Sequence, residues 1–135
     1  MKVEKPAAVI QAVIDAANRG DVDAMADRFA EDAVLKLDPV LPGMRPVYQG
    51  RKEIREYLWQ IVTDGYHVEA SGFEGTDSAV GWRSRVSGGL LGRLGIGRAE
   101  VSSQAIVQMN QILSITIHYS PEVVRQLREA MAERV

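Results

Sequence analysis

The sequence contains no cysteine in 135 residues. Disulfides, thiolate nucleophiles and zinc–sulfur centres are therefore excluded. Histidine is nearly absent too, with only two copies, His67 and His118. Two imidazoles without HxxxH-type spacing make a weak ligand set, so no metal and no other cofactor is expected. Clustered positive charge is also missing: the net charge is −2 and the Lys and Arg residues are spread along the chain. Nucleic acid is not an expected partner, because phosphate binding needs a concentrated basic face. No apolar run is long enough to span a membrane. The N-terminal stretch MKVEKPAAVIQAVIDAA resembles a signal peptide only superficially, since Gln11 and Asp15 interrupt it at helical spacing. A cytoplasmic location is the resulting expectation. No internal repeat or low-complexity tract is visible.

What is present is an ordinary globular composition, 46% hydrophobic and 25% charged. The length suits one domain, residues 1–135, with a real core. Pro6 suits the first turn of a helix, and Val9, Ile10, Val13, Ile14 and Ala17 recur at helical spacing after it. Gly20 sits where a helix would be closed, and Asp21 can cap a second helix with Val22, Met25, Ala26 and Phe29 on one face. That helix is predicted to run to about Glu31 or Asp32. Val34 to Leu37 reads as a strand, ended by Asp38-Pro39 because the residue before proline is held extended. A loop with Pro39, Pro42, Gly43 and Pro46 follows, then a short extended piece, Val47 to Gln49, and a third helix from about Arg51 to Thr63.

Four strands complete the pattern. Tyr66 to Phe73 alternates, and Val80, Trp82, Ser84 and Val86 share one face of the next strand. Val101, Ser103, Ala105, Val107 and Met109 share a face of the third, before a turn at Asn110-Gln111. Leu113, Ile115, Ile117 and Tyr119 alternate with Ser114, Thr116 and His118. These four fit an antiparallel meander. The glycine-rich link Gly88 to Arg98 lacks the Gly-Lys-Ser/Thr ending of a phosphate loop. It reads first as a long mobile connection, and second as an apolar flap or subunit contact. Ser120-Pro121 opens a last helix with Val123, Val124, Leu127 and Met131 in a stripe.

The pieces NRGDVDAM, FAEDAVLKLDP and YQGRKEIREYL resemble the nuclear-transport-factor-2-like superfamily, and within it the SnoaL-like polyketide cyclases and ketosteroid isomerases. The resemblance implies an α+β cone of cystatin-like type. A curved, mostly antiparallel sheet wraps three N-terminal helices and leaves a pocket at its wide end, and the C-terminal helix is an addition. It also implies a small hydrophobic ligand of polyketide or steroid type.

Asp38 before Pro39 resembles the general-base Asp of ketosteroid isomerases, and His118 stands where SnoaL-like and epoxide-hydrolase relatives carry a catalytic Asp. Both are candidate proton-transfer groups. The isomerase oxyanion residues have no match: the first helix offers Val13 and Ile14, and the later strand Gln104, Ala105 and Ile106. Tyr48, Tyr57, Trp59, Trp82 and Met44 are candidate pocket walls, joined by Ser114 and Thr116 beside His118. With Ser114, Thr116 and His118 turned into the pocket, Leu113, Ile115, Ile117 and Tyr119 would form an apolar outer face. Such a face needs cover, which motivates an expected homodimer. Three function classes follow: an acid–base cyclase or isomerase, a non-catalytic binder of a hydrophobic molecule, or an association domain.

Overall fold

A computed structural model describes residues 4–40 and 43–133. Met1, Lys2 and Val3 of the expected frayed N-terminus, and Pro42 of the expected loop, lie outside the described residues. The chain is a mixed α+β fold in which one curved six-stranded sheet holds helices on its concave side.

Helix α1 spans Pro6–Asn18, with proline in its first turn. Helix α2 is a single short piece, Val22–Ala26, capped by Asp21, whose side chain accepts from the Ala24 N–H at 3.0 Å. Strand β1 follows at once, Phe29–Asp38. The predicted second helix is thus too long, and Phe29 belongs to the sheet. Its apolar spacing fitted a helix, but its side chain is buried, its partner is Ile112, and the Arg51 guanidinium donates to its carbonyl at 2.6 and 2.8 Å. Tertiary contacts override the local pattern there.

Strand β2 is Val47–Gln49, and helix α3 is Gly50–Asp64, ended by Gly65 in the left-handed region at φ 81°. The meander is β3 (His67–Gly75), β4 (Ala79–Ser87), β5 (Ala99–Gln108) and β6 (Gln111–Tyr119). The strand order is β2-β1-β6-β5-β4-β3, with only β1 and β6 parallel. The β5–β6 turn is Met109-Asn110, both at positive φ, one residue earlier than predicted, and this turns Met109 out to solvent.

Inward residues form the main core: Val9, Ile10 and Ile54 from the helices pack on Phe29, Leu35 and Ile112 from the sheet. Burying each such side chain contributes about 1.5–3 kcal/mol. Asn18 ties the end of α1 to β3 like an extra strand residue, exchanging hydrogen bonds of 2.7 and 3.0 Å with the Val68 backbone.

The link between β4 and β5 is not an extended, exposed connection. It folds into a short helix, α4 (Gly89–Arg93), and buries Leu91 and Ile96. Helix α5, Pro121–Ala132, is capped by Ser120 and packs Val123 and Leu127 into the same second core as α4. No helix among the described residues is long and apolar enough to cross a membrane.

Candidate functional site

The curvature of the sheet leaves a cavity of ≈120 Å³ between its concave face and the helices. Trp82, Ser84 and Val86 reach it from β4, Val101 and Ser103 from β5, and Ile115, Ile117 and Tyr119 from β6. Val13 and Ile14 of α1 and Tyr57, Leu58 and Ile61 of α3 close the other side. Strand periodicity explains the set: every second residue of β4, β5 and β6 points the same way.

A second apolar cluster adjoins the cavity. Leu91, Ile96, Val123 and Leu127 pack with Tyr66, Val86, Val101 and Tyr119, four residues that themselves line the cavity. Glycine makes this cap fit. A Cβ on Gly88 (φ +84°) would lie 2.3 Å from the Gly65 carbonyl oxygen, and one on Gly89 (φ +54°) would meet the Tyr66 ring at the same distance. The Leu90 N–H donates to the Tyr66 hydroxyl at 3.2 Å, which pins the cap to the cavity rim.

Among the described residues, no lining side chain is a carboxylate, imidazole, ammonium or guanidinium. The polar side-chain groups of the lining are neutral: the hydroxyls of Ser84, Ser103, Tyr57, Tyr66 and Tyr119 and the indole N–H of Trp82. Burial, reinforced by the nearby phenols of Tyr119, Tyr48 and Tyr66, pushes the Tyr57 hydroxyl well above its ordinary range. Burial, followed by the neighbouring Tyr66 phenol, also pushes Tyr119 up. Tyr66 is raised, first by burial. These phenols therefore stay protonated around neutral pH, able to donate to an oxygen but unable to act as bases. Among the described residues no group of three or more His, Asp or Glu is placed to hold a metal ion.

The expected site residues are divided by the sheet. Tyr57 and Trp82 line the cavity, with Phe73 stacked on Trp82 at 6.1 Å. Tyr48 is buried beside it, its ring 5.0 Å from Tyr57 and its hydroxyl accepting from the Arg45 N–H. Met44 is half-buried between the two cores. Trp59 is 60% exposed and walls nothing. Its neighbours Tyr57 and Leu58 take the inward positions, and one step around a helix turns a side chain about 100° away.

Ser114, Thr116 and His118 lie on the outer face, opposite to the expected orientation. The inward set is Ile115, Ile117 and Tyr119. Burying the apolar set against the helices recovers hydrophobic free energy, whereas turning a histidine inward would desolvate it without a partner. Asp38 is the parallel register partner of His118, and its carboxylate sits 3.6 Å from His118 Nδ1. The two candidates do meet, but outside the cavity, with the Asp38 side chain 74% exposed. The outer face carries Lys36, Arg83, Ser102, Gln104 and Thr116, so the apolar surface that motivated a homodimer is not there.

Sequence reasoning missed Ser84, Ser103, Tyr66 and Tyr119 as site residues. The signal was present: each serine interrupts a strand face that is otherwise apolar.

A family model of the SnoaL-like domain matches residues 10–109. No curated protein matches the chain. Among solved structures, SalBIII, an epoxide hydrolase/cyclase-like enzyme of pyran ring formation in the polyether salinomycin, is 22% identical, with a TM-score of 0.70 over 86% of this chain and 91% of its own. A candidate isomerase from Bacillus subtilis is 15% identical, with a TM-score of 0.73 over 92% of each chain. A candidate polyketide cyclase from Sinorhizobium meliloti is 21% identical, with a TM-score of 0.67 over 82% of this chain and 93% of its own. At these identities the likeness establishes the fold alone.

Proposed function

The chain belongs to the SnoaL-like domain family, and on that footing we propose that it binds a small, uncharged, largely apolar molecule in the cavity between the sheet and helices α1 and α3. The observation that carries this reading is the lining itself. The cavity has ≈120 Å³ of room, against roughly 10–15 Å³ for one water, and no charged group faces it. A packed core of this size leaves no such space. The cyclase and isomerase descriptions of similar structures support a small organic ligand.

The test is thermal unfolding against a panel of uncharged one- and two-ring compounds. A ligand at 100 times its dissociation constant adds about 2.7 kcal/mol, which raises the Tm by several degrees. Filling the cavity with Val101→Phe should abolish that rise. No shift with any compound would remove the reading.

A second reading, acid–base turnover by Asp38 and His118, is favoured by their 3.6 Å contact. It requires a substrate on the outer face. Full turnover of an enone or polyketide-type substrate retained in His118→Gln would eliminate it.

A further inference from the structure

We propose that the cavity selects molecules bearing two or more oxygen acceptors, held by the hydroxyls of Tyr57, Ser84, Ser103 and Tyr119. The proposal rests on the reading of the cavity as a ligand site and names what that ligand must carry.

All four residues are more than nine-tenths buried. Among the described residues, no hydrogen bond engages any of their hydroxyls, whereas the Tyr48 and Tyr66 hydroxyls accept from backbone N–H groups. No buried side-chain oxygen of the described residues is sealed away without a partner, so uncommitted hydroxyls must keep open surface. Tyr57, Ser84 and Ser103 are all residues of the cavity lining. Leaving a hydroxyl unpaired in an apolar cavity is costly, and alanine would fill either serine position without that cost. Other inward positions of β5 are Val101, Ala105 and Val107.

The register arranges these groups. Ser84 pairs with Val101, and Val101 with Tyr119, so Ser84 and Tyr119 share one row across β4, β5 and β6. Ser103 lies in the next row on the same face, between Trp82 and Ile117. With strands about 4.8 Å apart, Ser84 and Tyr119 stand about 10 Å apart along the row, and Ser103 stands about 7–8 Å from each. Tyr57 faces this triangle from α3. Backbone positions so spaced, on three strands and a helix, suit two oxygens on a rigid frame better than a single acceptor. A carboxylate or ammonium ligand is disfavoured, because its charge would be buried without a counter-charge.

The experiment uses Trp82, which lines the cavity, as reporter in a Trp59→Phe background that removes the exposed indole. Three bicyclic probes of similar size are titrated: indane, 1-indanone and phthalide, with none, one and two oxygens. Indane-2-carboxylate is the charged control. Affinity should rise about 3–10-fold for each oxygen added, and the carboxylate should bind weakest. The phthalide-over-indane preference should shrink several-fold in Tyr57→Phe and in Ser103→Ala. Equal affinities for indane and phthalide, with binding intact, would overturn the oxygen selectivity alone. A full preference retained in both variants would overturn the assignment of these hydroxyls. A preference for indane would mean that water satisfies them and would also overturn the proposal. No response to any probe would overturn both this inference and the ligand site beneath it.

Discussion

On β6, Ile115, Ile117 and Tyr119 face the helices and the cavity, while Ser114, Thr116 and His118 face outward. The inward row meets only apolar groups and neutral hydroxyls. The outward row meets water and charge, with Asp38 at 3.6 Å from His118 on one side and Ser102 as register partner on the other. Two side-chain sets that alternate along one strand therefore live in different solvents. Ionisable groups lie where charge is hydrated, and groups that donate or accept neutral hydrogen bonds lie where charge is expensive. The ionisable pair is conspicuous in the sequence, and the neutral hydroxyls are what the fold encloses.

The sharpest way to break this contrast is to place one carboxylate on each face. Ile115→Asp puts a charge into a site that is 8% exposed. It should cost more than about 4 kcal/mol or prevent folding. Thr116→Asp, the next residue, should change stability by about 0.5–1 kcal/mol at most. Urea unfolding of both variants checks this, and similar losses would mean that the faces are not distinct.

A smaller effect comes from the cap. Leu91 of α4 is fully buried, so Leu91→Ala should cost about 2–5 kcal/mol in the same assay. It should also loosen ligand retention, because Leu91 belongs to the apolar cluster that includes the cavity-lining Tyr66 and Val101. A loss below about 1 kcal/mol would show that the cap is a surface loop that merely touches the rim.

The smallest effect per group is a pH dependence. Tyrosines of the unfolded chain ionise near 10, whereas Tyr57 and Tyr119 are held protonated above that by burial. The unfolded state then loses protons that the folded state keeps, so stability is fully present below pH 10 and falls as pH rises further. The slope is about 1.4 kcal/mol per group per pH unit at most. The urea midpoint should be unaffected by these phenols up to pH 9 and decline from pH 10 to 11. In Tyr57→Phe the decline should be shallower, and an unchanged slope would show that Tyr57 ionises freely in the folded state.

Much of the fold was legible. The α1 stripe, the Asp21 cap, the Asp38-Pro39 strand end, the Gly65 helix stop and the alternation of four strands all stand where local rules place them. Phe29 was misplaced because its spacing fits a helix and a strand equally well, and only its packing against Ile112 decides between them. The link from Gly88 to Arg98 was misread because its glycines suggest a loose loop. Two of them, Gly88 and Gly89, let the backbone entering α4 approach Gly65 and Tyr66, which are distant in sequence. The candidate site was half legible. Tyr57 and Trp82 were anticipated as walls, while Asp38 and His118 were assigned to the cavity and stand outside it.

Sequence by itself determined the elements, the family and the two alternating sets of each strand, because capping, turn chemistry and periodicity act over a few residues. Only the tertiary structure decided which set meets the cavity, which hydroxyls are left without partners and what packs beside the cavity. Those outcomes depend on burial, and burial is set by elements that meet across the whole chain: α3 against β1, α4 against Tyr66, and α5 against β5 and β6.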